Sequence, residues 1–303
     1  MKFAAHKCLL LLVFLSSIAG HAFSAALEIK ARSLENSQVT IPLVQAGKLL
    51  LIEAEVDGLR GNFILDTGAP YLVLNTTYFR NTIKIDTLVA GGITGAPCDL
   101  CRTRIGRLNL SSIHYDSLEA DVIPLGQIEN KRGVKILGLF GLELFKGFQV
   151  EIDLRQQVLR INLKALEHPK ASLTWPMELK NSTLIFEGEI AGKKLTWVLD
   201  SGAETVVLGS HLKKKVLNEF QIKRQVLLTG STGEGTEVFF GILPRLSIAD
   251  YPFEALPAIL GNLDTMGKAY GFEIDGMIGY DLFLRGRVMI DFVNQEIHMY
   301  LYE

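Results

Sequence analysis

One phrase occurs twice in this chain of 303 residues. Phe63-Ile64-Leu65-Asp66-Thr67-Gly68-Ala69 returns as Trp197-Val198-Leu199-Asp200-Ser201-Gly202-Ala203. Each copy runs three apolar residues into an aspartate, then a small hydroxyl residue, a glycine and an alanine. A short apolar run of this kind reads as the end of a buried strand. An aspartate there is costly to bury alone. Two of them face to face share one proton and relieve that cost. The phrase therefore demands a fold that carries two distant strand ends to a single point.

The surrounding sequence repeats with it. Trp175-Pro176-Met177 answers Ile41-Pro42-Leu43, and Ile190-Ala191-Gly192 answers Val56-Asp57-Gly58, at the offset of 134 that relates Asp200 to Asp66. Further on, Arg245-Leu246-Ser247-Ile248 answers Arg107-Leu108-Asn109-Leu110. Met277-Ile278-Gly279 answers Leu139-Phe140-Gly141, Asp291 answers Asp153 and Gln295 answers Gln157, all at an offset of 138. The change of four residues falls in a glycine-rich stretch, where an exposed tip tolerates insertion. A unit of about 130 residues is too long for a solenoid repeat and has the size of a domain. Two such domains about a pseudo-two-fold axis bring the same strand end from each to their boundary.

Short apolar runs separated by turn residues make the chain all-β. Strands are expected over 49–56 and 59–65 around the hairpin signal Asp57-Gly58, then over 71–74, 107–110, 120–125, 150–153 and 158–163. A short helix is expected over 75–81, and Lys213-Lys214-Lys215 reads as the solvated face of another. The stretch 89–96, with Gly91-Gly92-Ile93-Thr94-Gly95, reads as a mobile hairpin tip. The proline-broken segment 165–173 divides a first lobe, 40–164, from a second, 174–303.

At the N-terminus Lys2 and Lys7 precede an apolar run over 8–15, and Ala22-Phe23-Ser24 fits a cleavage site. Residues 1–24 read as a signal peptide, which places the protein in a secreted or periplasmic setting. The segment 25–39 then leads into the first lobe. That apolar run is short for a bilayer span, and no later stretch is apolar enough for one. A formal charge of -2 with no dense basic cluster gives no footprint for nucleic acid. Cys98 and Cys101 remain after cleavage, and an oxidising compartment favours a local disulfide between them. Zinc would need two further ligands at metal spacing, and none is nearby; no metal or other cofactor is expected. His114, His168, His211 and His298 are scattered without an H-E-x-x-H spacing. The glycine runs match neither a P-loop nor a dinucleotide fingerprint.

The doubled Asp-Thr/Ser-Gly, with the later apolar-Gly pairs Phe140-Gly141 and Ile278-Gly279, resembles the aspartic peptidases. The run 277–299 is similar to the last part of a pepsin-type lobe. The Asp-Thr-Gly-Ala start and the tip Gly91-Gly92-Ile93 are closer to the retroviral type. The resemblance covers nearly all of 40–301. It implies two similar six-to-eight-stranded barrel-like lobes with a few short helices, in a monomer that is its own pseudo-dimer. It makes Asp66 and Asp200 the catalytic pair, which activates a water to cleave an extended peptide or protein substrate. Thr67 and Ser201 would bond across the lobe junction, and Gly68 and Gly202 would let the loops approach. Gly141 and Gly279 would sit behind those loops. Gly92, Ile93 and Thr94 would form a flap over substrate, with 230–235 as its counterpart.

Two departures from the family pattern matter. Pepsin-type motifs carry Ser or Thr where this chain has Ala69 and Ala203. Loss of that donor to the charged form raises the pair's pKa values, so a less acidic optimum than that of digestive pepsins is expected. The segment 25–38 is also short for a basic propeptide. Two other functions fit the same residues: a peptide-binding module that keeps the cleft without cleaving, and an extracytoplasmic interaction protein with no cleft.

Overall fold

The strand Leu49–Val56 turns at Asp57 and Gly58 into the strand Leu59–Asp66. Both turn residues have positive φ, 48° and 86°, the backbone that a two-residue hairpin matched to strand twist requires. In the second half Thr183–Ile190 turns into Lys193–Leu199 through Ala191 and Gly192, again with positive φ, 52° and 71°. The same correspondence holds at Ser111 and Ala249, Ser117 and Ala255, and Gln157 and Gln295, each pair 138 apart and each left-handed. The repeat read from residue types is thus also a repeat of backbone conformation.

The computed structural model describes residues 9–10, 15–16, 37–80, 84–91, 98–229 and 235–303. The expected flap residues Gly92, Ile93 and Thr94, and 230–234 of its counterpart, lie outside them. So does most of the segment 1–24. Its two-residue strands Leu9–Leu10 and Leu15–Ser16 pair with Gln221–Thr229 and Lys84–Gly91, one strand from each half. No helix among the described residues is long and apolar enough to cross a membrane.

The described residues form an 11-stranded sheet from the first half and a 9-stranded sheet built mainly from the second. In each, the aspartate strand is flanked by a late-arriving partner. Gly138–Gly141 runs parallel to Leu59–Asp66, with Gly141 opposite Asp66, and antiparallel to Leu72–Asn75. Gly276–Ile278 takes the same place between Lys193–Leu199 and Val206–Gly209. This insertion fixes where each aspartate leaves its sheet. Phe63, Ile64, Leu65, Trp197, Val198 and Leu199 are all buried, so the apolar half of each motif anchors in core and the polar half emerges at its edge.

A third sheet of six strands joins the lobes, three strands from each half. Its central contact pairs Gln149–Asp153 with Gly286–Asp291, antiparallel, with Glu151 opposite Met289. Those two residues are 138 apart, so each stands opposite its own repeat equivalent. An antiparallel register of that kind places the pseudo-two-fold axis between them. The sequence reading treats these strands as the closing pairs of separate lobes and does not foresee the shared sheet.

Two expectations are corrected. The short helix over 75–81 is not formed over 75–80. Asn75 ends a strand there, and its buried side chain donates to the Ile136 carbonyl and accepts from the Thr77 and Leu125 amides. That side chain ties down a turn where the sequence reading expects a helix. The staple between Cys98 and Cys101 is also absent, since both stand on the strand Cys98–Arg104. Three residues of extended chain span about 10 Å, beyond the roughly 4.4–6.8 Å that a disulfide bridges between Cα atoms. Cys101 is a free thiol. The lysine-bearing helix is present as Lys214–Leu217, with Val216 buried and both lysines exposed.

Candidate active site

The two motif loops meet at the lobe junction and bond reciprocally. The Thr67 amide donates to Ser201 Oγ at 2.9 Å, and the Ser201 amide donates to Thr67 Oγ1 at 2.9 Å. Each hydroxyl then donates onward to the opposite strand, Thr67 to the Leu199 carbonyl at 2.9 Å and Ser201 to the Leu65 carbonyl at 2.8 Å. All four bonds are buried and cross between lobes. A small hydroxyl residue is needed because it must accept and donate within one tight turn. Gly68 and Gly202 make the approach possible. A Cβ on Gly68 would lie 2.5 Å from the Asp200 carboxyl carbon, and one on Gly202 would lie 2.9 Å from Asp66 Oδ1.

Asp66 and Asp200 are fully buried and lie within hydrogen-bonding reach of each other. Asp66 Oδ1 accepts from the Gly68 and Ala69 amides at 3.0 and 3.2 Å. Asp200 Oδ1 accepts from the Gly202 amide at 2.8 Å. Oδ2 of each finds no donor among the other described protein groups. Burial raises Asp66 to about 6, against the lowering effect of the bonds from Asp200 and the two amides. Burial, and then the charge of Asp66, hold Asp200 well above the usual carboxylate range. Both carboxyls are thus raised, and one proton is held between them. This is the electrostatics of two close carboxylates that cannot both ionise cheaply.

The glycines behind the loops are held as tightly. A Cβ on Gly141 would meet the Tyr71 carbonyl oxygen at 2.1 Å, and one on Gly279 the Asp200 carbonyl oxygen at 1.8 Å. The Leu142 amide donates to the Ala69 carbonyl, and the Tyr280 amide to the Ala203 carbonyl, at 2.9 and 3.0 Å.

A family model described as aspartyl protease matches residues 52–144 and 186–282, together more than half of the chain. The chain belongs to the aspartyl protease family. No curated protein sequence matches it. Among many solved structures with this fold is an aspartic proteinase from Irpex lacteus, at 10% identity and a TM-score of 0.51. That match covers 88% of this chain and 98% of the other. Another is basic 7S globulin from soybean, at 10% identity and a TM-score of 0.50, covering 87% and 95%. At such identity these likenesses speak for the fold alone.

Several residues of this family member escaped the sequence reading. Two helices of seven residues, Gly126–Arg132 and Asp264–Tyr270, occupy equivalent places 138 apart, each closed by a left-handed glycine, Gly133 and Gly271. The last residue of each crosses to the other lobe. Arg132 pairs with Glu204, the residue after Ala203. Tyr270 donates to the Gly68 carbonyl at 3.3 Å. Lys48 adds a second clasp, donating to the Glu204 carbonyl at 2.7 Å and to Asp281 at 3.1 Å. On the opposite side Ser182, the counterpart of Lys48, donates to Glu143 at 2.5 Å. The signal was available: these are places where the two copies differ in residue type at matching offsets, as at Pro70 against Glu204.

Arg132 and Glu204 are nearly buried, with side chains 15% and 7% exposed. Removing one member of such a pair strands the other charge. Glu204→Ala is expected to destabilise the fold by about 3 kcal/mol, while Arg132→Met with Glu204→Met together recovers most of that loss. Urea denaturation of the three proteins measures it.

Histidines that look scattered along the sequence include one that is not isolated. His211 Nε2 lies 3.3 Å from both Glu273 Oε1 and Asp275 Oδ1. Of the described residues this is the one His-carboxylate group close enough to hold a metal ion. It sits at the start of the chain entering Gly276–Ile278, apart from the two aspartates, and Asp275 is also committed to the Thr196 amide.

Proposed function

We propose that the protein is an aspartic-type endopeptidase that hydrolyses peptide bonds in extended polypeptide substrates. The observation that carries this reading is two fully buried carboxyls brought together at the lobe junction by the reciprocal Thr67 and Ser201 bonds. The fold alone does not carry it, because basic 7S globulin from soybean has the same fold.

Asp66, as the anion, takes a proton from a water drawn between the carboxyls. Asp200, protonated, donates to the carbonyl oxygen of the scissile bond. Water attacks directly and no acyl-enzyme forms, as general acid-base catalysis by two positioned groups allows. The division of labour is the one known for aspartic proteases at large, where like charges in contact leave one carboxyl protonated. The Thr67-Ser201 bonds keep the two carboxyls in register, so the acid and base stay on opposite sides of one water. The substrate would lie extended, held by backbone bonds. We further propose that residues 1–24 are removed on export and that the working form is a secreted or periplasmic monomer.

The active form carries one negative charge. Below the ionisation of Asp66 near pH 6 both carboxyls are protonated and the base is lost. Well above it Asp200 loses its proton and the acid is lost. Protein lacking residues 1–24 is incubated with a diverse peptide pool across pH, with and without pepstatin. The expected result is pepstatin-sensitive cleavage that rises as pH increases through about 6. Cleavage at no pH, or an optimum near pH 2 with none by pH 5, overturns it.

A further inference from the structure

Tyr270 is buried to 3% exposure at the end of the helix Asp264–Tyr270, in lobe two. Its ring stacks on Phe272 at 6.0 Å and its hydroxyl faces lobe one. The acceptor there is the Gly68 carbonyl at 3.3 Å, a long contact for a hydroxyl donor. That carbonyl belongs to the same peptide group as the Ala69 amide, which donates to Asp66 Oδ1. A donor on the oxygen of a peptide strengthens the N–H of that peptide as a donor, since hydrogen bonds in a chain polarise one another.

The equivalent position in lobe one is Arg132, and it goes to the Glu204 carboxylate. The two motif loops are thus related by the pseudo-two-fold axis in backbone but not in what the opposite lobe donates to them. We propose that Tyr270 is a positioning residue of the pair: through the Gly68–Ala69 peptide it favours negative charge on Asp66, and so sets which aspartate is base and which is acid. The ionisable groups around Asp66 are Asp200 on the facing loop and the Tyr270 phenol. Glu204, further along that loop, is neutralised by Arg132. Burial, and then the charges of Asp200 and Asp66, raise the phenol well above its usual range, so it stays a neutral donor throughout the working pH.

The kinetic part of this inference rests on the hydrolytic reading, and the titration does not. Tyr270→Phe keeps the ring and deletes the donor. Carboxyl carbons of Asp66 and Asp200 are followed by NMR across pH in wild type and variant, and thermal melts confirm folding. The expected result is an Asp66 midpoint at least about half a unit higher in the variant. Where wild type cleaves peptides, kcat falls roughly three- to tenfold with KM within about twofold, and the acidic limb moves up with Asp66. A midpoint within about 0.2 unit of wild type in a folded variant overturns the proposal. Should Tyr270→Phe fail to fold, 3-fluorotyrosine placed at 270 gives the complementary test. The stronger donor lowers the Asp66 midpoint, and an unmoved midpoint overturns the proposal. An uncleaved peptide pool with a shifted Asp66 midpoint counts against the peptidase reading and not against Tyr270.

Discussion

Asp200→Asn is expected to remove peptide cleavage, by about 10³-fold or more, while leaving the protein folded. The magnitude is that of losing a positioned general acid in a mechanism with no covalent alternative. Folding survives because the amide is isosteric with the carboxyl. Its oxygen still accepts from the Gly202 amide, as Asp200 Oδ1 does at 2.8 Å, and its NH2 offers Asp66 a permanent donor. Stability moves opposite to activity. Asp200 has a folded pKa raised above its unfolded value, so the folded state holds the extra proton. The wild type therefore loses stability as pH rises above the ordinary carboxylate range and toward that raised value. Asparagine has no proton to lose. The variant should melt above wild type at pH 8, and the gap should close as pH falls toward 4. Calorimetry at both pH values, beside a peptide assay, reads both effects. A variant that cleaves within tenfold of wild type, or melts below it at pH 8, contradicts the assignment of Asp200 as the shared-proton acid.

Much of this site was legible because its parts are local in sequence. The residue types of 63–69 and 197–203 state a strand end, a carboxylate, a hydroxyl and a close approach in seven positions. The repeat offset locates Gly141 and Gly279 without any structure. What was not legible depends on partners far away. Val150 to Asp153 reads as strand, but nothing in it says that the strand opposite is its own copy across an axis. The helices Gly126–Arg132 and Asp264–Tyr270 lack a side-chain cap, and the first buries a single residue, Ile128. Short elements of that kind leave no periodic trace. Arg132, Lys48 and Tyr270 carry no motif because each acts through a group in the other lobe. Cys98 and Cys101 misled for the opposite reason. Their spacing suggested a closed loop, and it is the pairing of their strand with Lys84–Gly91 and Glu119–Ile123 that shows the chain extended there.

Gly279→Ala is expected to abolish the folded state, because an added Cβ there would come closer to a neighbouring atom than at any other described glycine. The added carbon would stand 1.8 Å from the Asp200 carbonyl oxygen and 2.8 Å from the Ala203 carbonyl oxygen. Both obstacles are backbone, so no rotamer change relieves them. The Asp200 carbonyl can retreat only by turning the Asp200–Ser201 peptide, whose N–H is donated to Thr67 Oγ1. Ser201 Oγ in turn holds the Leu65 carbonyl, so a displacement in lobe two is passed to the Asp66 strand in lobe one. Clashes that a packed core cannot absorb fall in the rare class above about 4 kcal/mol. Gly141→Ala should act alike, through the Tyr71 carbonyl at 2.1 Å. Gly126→Ala is the control, because a Cβ there meets nothing within 4 Å and the position opens a helix, so it should melt as wild type does. Soluble yield and urea midpoints of the three variants make the comparison. A soluble Gly279→Ala protein with a wild-type midpoint would mean that the strand Gly276–Ile278 does not press against the Asp200 loop. The path by which each lobe's last inserted strand fixes its aspartate would then have to be abandoned.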